Sequence, residues 1–420
     1  MRAAGMGSSI AVTTGAVAVG ALSAYLATVS AAALTSPGVG RRSRTAVPTG
    51  DGTRRYAILV PAHNEGAVIE QALRSLAALN YPGDGFAVHV VCDNCTDDTA
   101  SIVRRCGFTA HERDDRANAG KGPALNWLYD RLIADEVPFD VVVILDADTS
   151  VAPSFLRHID DAFTKGAVAA QGFYGVREPE GSASAGLRYA ALACRHHLRA
   201  LGRTRLGGSC GLYGNGMAFD AALMRTHRWS GHLTEDMEFQ NELLLAGHRV
   251  VYVPGAALEA EMPDTLDAST GQNERWELGR IQMAKRYVPR LTRRLAQPSS
   301  RLRVADADGV FDHLVPPLSV LVLANATVGA ASLVLRVVRR GRLDRVNLAV
   351  STLSAGLLAA HVVVGLWTAD APRSVYRSLA QAPRMILWKA GLWKKVLVKP
   401  DDVTWTRTAR NSEVAETEAS

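Results

Sequence analysis

Two aspartates, Asp146 and Asp148, directly follow the apolar run 141–145, which contains only valine, isoleucine and leucine. Carboxylate oxygens held on a turn are ligands that Mg²⁺ and Mn²⁺ prefer, and such an ion can neutralise the charge of a diphosphate. A lone Asp-x-Asp sequence occurs in many turns. Its position immediately after a buried strand makes Asp146 and Asp148 candidate metal ligands.

A second residue with phosphate chemistry is Lys121, which lies between Gly120 and Gly122 just before a helical pattern. Glycines let the backbone approach a ligand closely, and a lysine ammonium is a common phosphate partner. An ordinary surface turn is the alternative, because this short sequence lacks the full phosphate-loop motif.

Two acidic residues, Glu235 and Asp236, precede the helical pattern of residues 237–246. Acids in the first turn of a helix stabilise it, which is the structural alternative. A carboxylate in a cleft can also accept the proton of an attacking hydroxyl. Glu235 and Asp236 are therefore candidate general bases.

Three further residues, Gln272, Arg275 and Trp276, are close together on one side of a predicted helix. Tryptophan offers a flat apolar surface to a sugar ring, and arginine can clamp a diphosphate. The alternative is a tryptophan that covers the core.

The elements that must position these residues alternate between short apolar strands and helical patterns from about residue 54 to 287. This alternation predicts an α/β fold with a mostly parallel sheet and helices on both faces. Ligands of such sheets bind beyond the carboxyl ends of the strands, where Pro61, Asp93 and Asp146 would converge. The predicted strands are 56–61, 86–92 and 139–145, and the predicted helices are 65–79, 99–106 and 122–134.

Three stretches are long and apolar enough to cross a bilayer, namely 10–34, 314–335 and 346–369. A cleaved signal peptide is the alternative for the first, but its apolar region is longer than usual for one. Arg41, Arg42 and Arg44 follow it and place the downstream side in the cytoplasm. The arginines at 336–345 would then face outside, against the positive-inside tendency.

Two basic stretches, 280–295 and 379–398, combine apolar side chains with lysine or arginine. This pattern suits a helix in the headgroup region, and an amphipathic helix packed on its own domain fits equally well. Residues beyond Arg410 are polar and lack periodicity, which predicts a loose tail.

The composition excludes several classes of protein. Hydrophobic residues make up 48% of the 420 residues and charged residues 21%, so the chain is not disordered in bulk. The net charge of +6 contains no long basic run, which disfavours nucleic acid as a partner and favours lipid or diphosphate. The five cysteines are an odd number and favour a reducing compartment over a disulfide framework.

Taken in order, the motifs resemble glycosyltransferase family 2, the inverting transferases with a GT-A fold. The resemblance runs from about residue 57 to 279. Its flanking apolar helices and its Gln-x-x-Arg-Trp element are similar to those of the polysaccharide synthase branch. The motifs are residues 60–65, 93–99, 120–122 with 125–126, 146–148, 214–217, 234–236 and 272–276.

The resemblance implies a role for each matching residue. Asp236, with Glu235 beside it, would be the catalytic base, and Asp148 with Asp146 would hold Mg²⁺ or Mn²⁺. Gln272, Arg275 and Trp276 would hold the diphosphate and the acceptor. The nucleotide-sugar would contact Pro61, His63, Asn64, Glu65, Asp93, Lys121 and Asp146. Within this set, Asp93 would bind the nucleobase and Glu65 the ribose region.

We therefore expect a multi-pass membrane enzyme with its catalytic domain in the cytoplasm. By the resemblance, it would transfer a sugar from a UDP-sugar, with a GDP-sugar as the alternative, to a lipid or glycan acceptor for cell-envelope or extracellular polysaccharide or glycolipid synthesis. The predicted segments are an anchor at 1–40, a GT-A domain at 54–287, an interfacial linker at 288–312, two transmembrane helices within 313–369, an amphipathic interfacial segment at 370–400 and a polar tail at 401–420.

Several alternatives stay open at this point. A processive polysaccharide synthase has the same motifs, although three spans are few for a chain that must secrete its own polymer. A nucleotidyltransferase would not explain Gln272, Arg275 and Trp276. A non-catalytic protein could retain the fold as a binding or assembly module, although every expected acid is present.

Overall fold

The computed structural model describes residues 2–36, 48, 50, 52–262, 265, 268–297, 302–339 and 341–398, with side chains from residue 9 onward. The predicted tail 401–420 and the basic residues Arg41, Arg42 and Arg44 lie outside this part of the chain.

Strands alternate with helices between Tyr56 and Ala260, in a pattern typical of α/β proteins. The strands are β1 (Tyr56–Ala62), β2 (Phe86–Asp93), β3 (Thr109–Arg113), β4 (Val141–Ile144), β5 (Thr149–Val151), β6 (Ala169–Val176), β7 (Met217–Asp220) and β8 (Val251–Ala260). The helices of the first half are α1 (Arg2–Leu34), α2 (Ile69–Ala77), α3 (Thr99–Arg105), α4 (Lys121–Ala134), α5 (Phe155–Thr164), α6 (Ala183–Leu192) and α7 (Arg199–Arg205). The later helices are α8 (Ala221–Thr226), α9 (Glu235–Ala246), α10 (Thr270–Leu295), α11 (Arg303–Leu314), α12 (Leu318–Arg339), α13 (Arg342–Thr368), α14 (Arg373–Ser378) and α15 (Ala382–Val398). A π-helical segment, Ala193–Leu198, joins α6 to α7.

The strands of the described residues form one eight-stranded sheet in the order β3-β2-β1-β4-β7-β6-β8-β5. The pairs β3-β2, β2-β1, β1-β4 and β6-β8 are parallel, and β7 and β5 pair antiparallel with their neighbours. The predicted α/β fold with a mostly parallel sheet is confirmed. The carboxyl ends of β1, β2 and β4 therefore meet at one edge.

The central strands are buried on both faces because their sequences are continuously apolar. In β1, Ile58 and Val60 pack on one face with α2 and α5, while Ala57 and Leu59 pack on the other with α4 and α9. All four residues of β4 are buried. This double-sided packing fixes where β4 ends and therefore where the following aspartates lie.

The helix predicted to begin at residue 65 begins at Ile69. Asn64 has a φ of 54°, a left-handed conformation that a helix does not continue through. Its side-chain oxygen accepts a hydrogen bond of 2.7 Å from the backbone nitrogen of Thr96. The residues after β1 are thus held as a loop at the carboxyl edge of the sheet.

Three helices of the described chain are long and apolar enough to cross a membrane, at Ser9–Leu34, Leu318–Arg339 and Arg342–Thr368. Helices α1 and α13 run parallel, since Thr13 contacts Asn347 and Ser30 contacts His361. Helix α12 runs antiparallel to both. Its last residue, Arg339, donates a hydrogen bond to Ser9 near the start of α1, and Val328 in its middle lies against Gly15. Polar groups joined by hydrogen bonds between apolar helices are a usual way to fix their packing.

One end of this three-helix bundle packs against the sheet-bearing part of the chain. Tyr189 donates a hydrogen bond of 2.9 Å to the carbonyl of Ala369, at the end of α13. A Cβ added at Gly202 on α7 would lie 1.9 Å from the carbonyl oxygen of Val29 on α1. The two backbones approach this closely only because residue 202 has no side chain.

Both stretches predicted to be interfacial are helical and contact their own chain. The basic residues of α10 pair with acids of α9, as in the ion pair of 2.6 Å between Arg290 and Glu242. Helix α15 packs on α10, where Lys389 donates to Glu277 at 2.9 Å. Leu387 on α15 is nonetheless 68% exposed, so contact with a membrane stays a prediction.

The contact at Gly202 gives a prediction for the joint between α1 and α7. Substituting Gly202→Ala should lower the free energy of unfolding by about 1–3 kcal/mol, because overpacking forces the helices apart. Thermal unfolding of the purified protein in detergent measures this. The matched variant is Gly356→Ala on α13, where an added Cβ has nothing within 4 Å and should leave the midpoint unchanged. Equal midpoints for both variants would contradict the tight joint.

Candidate functional site

The site begins where β4 ends, and its first contact is an ion pair between Lys121 and Asp146. The Lys121 Nζ atom lies 2.5 Å from Asp146 Oδ1 and donates to the Gly214 carbonyl at 2.6 Å. The pKa of Lys121 is raised: burial alone would lower it, but the charges of Asp146, Glu235 and Asp236 outweigh burial. The ammonium therefore stays charged at the start of α4.

Asn215 holds the loop after β4 in place, and it is completely buried. Its Oδ1 accepts a hydrogen bond of 3.1 Å from the backbone nitrogen of Asp146. Its Nδ2 donates to the hydroxyl of Thr149 at 2.6 Å, and its carbonyl accepts from Gln171 at 2.7 Å. A fully bonded buried amide of this kind fixes the position of the two aspartates.

Asp148 completes the Asp-x-Asp turn, and its Oδ1 accepts a hydrogen bond of 3.3 Å from Thr149. Arg177 donates to its carbonyl at 2.9 Å. Asp146 and Asp148 supply only carboxylate oxygens, which suits a hard cation such as Mg²⁺ or Mn²⁺. Among the described residues no cluster of three metal-binding side chains exists, so such an ion would need ligands from a phosphate or water. The donor set fits an ion shared with a diphosphate.

Glu235 and Asp236 lie in the first turn of α9, opposite Lys121. A Cβ added at Gly214 would be 3.6 Å from both Asp236 Oδ2 and Lys121 Nζ. The φ of Gly214 is 77°, so glycine is needed here for backbone conformation as well as for space. The carboxylate of Asp236 thus shares a small gap with the ammonium. The other carboxylate oxygen of Asp236, Oδ1, accepts a hydrogen bond of 2.7 Å from the backbone nitrogen of Met237.

Burial raises the pKa of both carboxyl groups above the ordinary values. The pKa of Glu235 is raised to about 7 by burial and by the neighbouring charge of Asp236, while Lys121 partly offsets this. The pKa of Asp236 is raised by burial, and Lys121 and Arg195 act in the opposite direction. A carboxylate with a raised pKa is a stronger base for a proton of a hydroxyl group.

Asp93 lies at the end of β2 and is almost fully buried. Arg113 donates to its Oδ1 at 2.5 Å, and the backbone nitrogen of Gly120 donates to Oδ2 at 3.3 Å. The Nδ1 of His63 lies 2.7 Å from the Asp93 carbonyl oxygen. The loops after β1, β2 and β3 are therefore connected to the turn that carries Lys121.

The remaining donor-site candidates follow β1. Pro61 pairs in register with Val91 of β2. The backbone nitrogen of Glu65 donates to the Thr99 hydroxyl at 3.0 Å. The structure thus brings Pro61, His63, Asn64, Glu65 and Asp93 to one edge with Lys121, Asp146 and Asp148, as the strand pattern predicted. Their roles as ligands stay predictions.

Helix α10 carries the three predicted acceptor residues next to this edge. A Cβ at Gly279 would be 2.2 Å from Thr234, the residue before Glu235, so α10 packs directly on the start of α9. Arg188 donates to Gln272 at 3.4 Å. Trp276 is 37% exposed, and so it does not cover the core. The pKa of Arg275 is lowered by burial.

The sequence pattern missed several residues that shape the site. Arg113 was not singled out although it ends a strand beside β2, and strand order would have indicated it. Arg177, which directly follows β6, contacts Asp148, and Gln171 of β6 contacts Asn215, but no local motif marks either residue. Their role depends on antiparallel pairing in the second half of the sheet.

Residues 53–279 match the family described as glycosyltransferase like family 2. This match covers more than half of the chain. The chain belongs to that family. The predicted family is therefore confirmed.

Curated relatives match about half of this chain. A β-monoglucosyldiacylglycerol synthase from Nostoc sp. is 28% identical over 236 residues, which are 54% of this chain and 49% of the relative. An N-acetylglucosaminyltransferase from Rhizobium leguminosarum bv. viciae is 25% identical over 239 residues, which are 52% of this chain and 54% of the relative. The chain spans about half the length of these curated relatives.

A solved structure with the same fold is the mannosyltransferase of Pyrobaculum calidifontis in complex with GDP-mannose and Mn²⁺. Its identity to this chain is 18%, its TM-score is 0.51, and the match covers 85% of this chain and 99% of that one. This similarity shows the fold, and it confirms the predicted GT-A architecture.

The raised pKa of Glu235 gives a prediction for stability against pH. The ordinary value is 4.5 and the folded value about 7, so the folded protein keeps a proton that the unfolded chain releases between these values. Stability should therefore fall as pH rises through this window, and Glu235→Gln should remove that part of the decline. The unfolding temperatures of the parent protein and of Glu235→Gln are measured at several pH values without added metal. Parallel curves for the two proteins would contradict the raised pKa.

Proposed function

We propose that this protein is an inverting glycosyltransferase that moves a sugar from a nucleotide-sugar to a lipid or glycan acceptor at the cytoplasmic membrane face. The observation that carries the proposal is the gap at Gly214, where Asp236 Oδ2 and Lys121 Nζ face each other beside the Asp146–Asp148 turn. A base, a phosphate partner and two candidate metal ligands are thereby within one small site.

Asp236 acts as the general base. The acceptor hydroxyl loses its proton to Oδ2 as its oxygen attacks the anomeric carbon from the face opposite the nucleotide. The pKa of this carboxyl, raised by burial, favours that proton transfer. Met237 fixes the other oxygen, so the carboxylate presents one defined atom to the acceptor. A single displacement of this kind inverts the anomeric configuration.

The diphosphate leaves with its negative charge facing Lys121. Asp146 and Asp148 would hold Mg²⁺ or Mn²⁺, which when bound neutralises charge on the diphosphate. Lys121 is held in place by Asp146 and the Gly214 carbonyl, so its charge is positioned before the donor binds. The nucleoside would lie toward Asp93 and Glu65, at the edge formed by β1 and β2. A UDP-sugar is our first choice of donor, and a GDP-sugar is the alternative.

The acceptor enters from the side of α10. Trp276 offers its ring to a sugar, and Arg275 and Gln272 lie on the neighbouring positions of the helix. Helix α15 packs on this part of α10 and on α12, one of the three helices of bilayer length, which supports an acceptor made or held at a membrane. The names of the curated relatives include a glycolipid synthase, which agrees with a lipid acceptor.

The base and the metal ligands can be tested by substitution. Asp236→Asn should reduce release of nucleoside diphosphate by about a hundredfold to ten-thousandfold, because the carboxylate supplies general-base catalysis. Asp148→Ala should abolish stimulation by Mn²⁺. Both are measured with full-length protein in detergent against a panel of nucleotide-sugars, with membrane lipid as acceptor.

Asp135→Asn is the control, since this exposed carboxylate lies at the far end of α4. It should retain full activity. Unchanged turnover in Asp236→Asn, or no release by the unmodified protein from any donor, would contradict the proposed function.

The proposed orientation places the connection between α12 and α13 on the far side of the membrane from the catalytic domain. Leu343 lies there and is 60% exposed, whereas Gly231 lies on the catalytic side with open space around it. Leu343→Cys should react with an impermeant maleimide in right-side-out vesicles, and Gly231→Cys only after permeabilisation. The parent protein sets the background from native cysteines. The opposite labelling pattern would contradict a cytoplasmic catalytic domain.

A further inference from the structure

A polar pocket lies beside the proposed base, Asp236. It is lined by four arginines that have no role in the proposed reaction. It is formed by α7, the π-helical segment, the start of α9, the middle of α10 and the end of α11. Its lining includes four arginines, Arg195, Arg199, Arg203 and Arg280, together with Asp312 and Met237. Arg195, Arg199 and Arg203 lie four residues apart along the π-helical segment and α7, and the fold adds Arg280 from α10.

Two of the arginines are neutralised by acids of α11, but only in part. Arg199 and Arg203 both pair with Asp312, and Arg203 also donates to Asp308 at 2.9 Å. Both side chains are more than nine-tenths buried, yet the Arg199 Nε and the Arg203 Nη2 have no hydrogen-bond partner within the described structure. Buried donors without a partner are costly and are uncommon in a folded protein.

The other two arginines are balanced only in part, because Glu277, the acid whose charge acts on both, already pairs with Lys389 at 2.9 Å. Within the described residues, neither Arg195 nor Arg280 forms an ion pair with an acid, and Arg280 donates only to the Val315 carbonyl, at 2.8 Å. Burial and the nearby charge of Arg195 lower the pKa of Arg280 to about 9. Four arginines and Lys389 against Asp308, Asp312 and Glu277 therefore leave an excess of positive charge that an anion would neutralise.

The pocket is next to the base and next to the membrane helices. Met237, which follows Asp236, lines it, and Arg195 is close enough to lower the pKa of Asp236. Tyr25 of α1 donates to Asp308 at 2.9 Å. The pocket therefore lies between the proposed catalytic carboxylate and the end of the helix bundle that contacts the catalytic domain. Its π-helical wall is a feature often found at functional sites.

The donor does not explain these arginines, because its diphosphate is assigned to Lys121 and the turn after β4. Arg195 and Arg280 are a second set of cations, and they line the pocket next to Met237, the residue that follows Asp236. A ligand there would have its anion in the pocket and its hydroxyl at Asp236. Only the acceptor has to place a hydroxyl at that atom.

We propose that this pocket binds a phosphate group of the acceptor, close to the hydroxyl that receives the sugar. The inference rests on the proposed function and specifies its acceptor class. Arg195 and Arg280 form charge-assisted hydrogen bonds to the phosphate oxygens, and the unpartnered nitrogens of Arg199 and Arg203 add donors. An acceptor without an anion leaves this charge unbalanced and binds weakly.

Two pairs of acceptors test the proposal with full-length protein in mixed micelles. Phosphatidylglycerol has a free hydroxyl near a phosphodiester, and diacylglycerol has a hydroxyl without phosphate. Glycerol 3-phosphate and glycerol are the soluble equivalents. Each acceptor is assayed with a donor that the protein hydrolyses slowly by itself. We expect transfer to a phosphate-bearing acceptor, and the lipid and soluble arms show whether the phosphate belongs to a headgroup or to a free molecule.

The arginines are tested by Arg195→Gln and Arg280→Gln. Each should raise the KM of the phosphate-bearing acceptor by about tenfold or more, and should raise the KM of the neutral acceptor much less. The matched control is Arg205→Gln, which removes an exposed charge outside the pocket from α7, the helix that follows the segment with Arg195. It should leave all constants unchanged, which separates the pocket from a general attraction to anionic micelles.

The outcomes distinguish failure of this inference from failure of the proposed function. If the unmodified protein hydrolyses a donor but transfers equally well to neutral acceptors, and both arginine variants retain the acceptor KM, the phosphate site is overturned. If no donor is hydrolysed at all, the proposed function itself is wrong. Inorganic phosphate gives a further measurement: it should inhibit transfer by competing with the acceptor, and this inhibition should weaken in Arg280→Gln. Inhibition that is equal in both proteins overturns the site.

Discussion

The ammonium of Lys121 among three carboxylates is the interaction on which the rest of the site depends. Asp146 holds it at 2.5 Å, and the charges of Glu235 and Asp236 raise its pKa. These acids come from the end of β4 and the start of α9, so a single cation ties together two distant parts of the chain. Gly214 provides the space and the backbone conformation that let the groups meet. Without this cation, clustered carboxylates would repel each other and take up protons.

The catalytic domain and the helix bundle are joined by tight and partly charged contacts. Gly202 lets α7 touch α1, and Asp308 of α11 receives hydrogen bonds from Arg203 and from Tyr25 of α1. These contacts place the arginine pocket between the base and the membrane helices. A rigid joint of this kind would hold a membrane-bound acceptor at a fixed distance from Asp236, which is how position contributes to rate.

The sequence predicted those parts of the site that depend on local pattern. A buried apolar run must end at a sheet edge, so Asp146 and Asp148 could be placed from the run before them. Helical spacing likewise put Gln272 and Trp276 together. Asp93 was predicted as a ligand, but its pairing with Arg113 depends on the register of β2 and β3, which local pattern does not determine.

The arginine pocket lay beyond the reach of sequence reasoning. Arg195, Arg280 and Asp312 are separated by many residues, and each belongs to a helix whose pattern is ordinary when taken alone. Basic residues in 280–295 suggested a membrane surface, yet Arg286 and Arg290 pair with Glu238 and Glu242 of α9. Only tertiary packing distinguishes a basic residue that faces lipid from one that faces an acid of its own chain.

The most direct measurement of the central claim is the anomeric configuration of the product. Attack by a hydroxyl deprotonated at Asp236, on the face opposite the nucleotide, must invert the anomeric carbon. Proton NMR of the purified product, made from a donor with an α-linked sugar, reports the configuration through the coupling of the anomeric proton. We expect a β-linked product. An α-linked product would contradict a single displacement with Asp236 as the base.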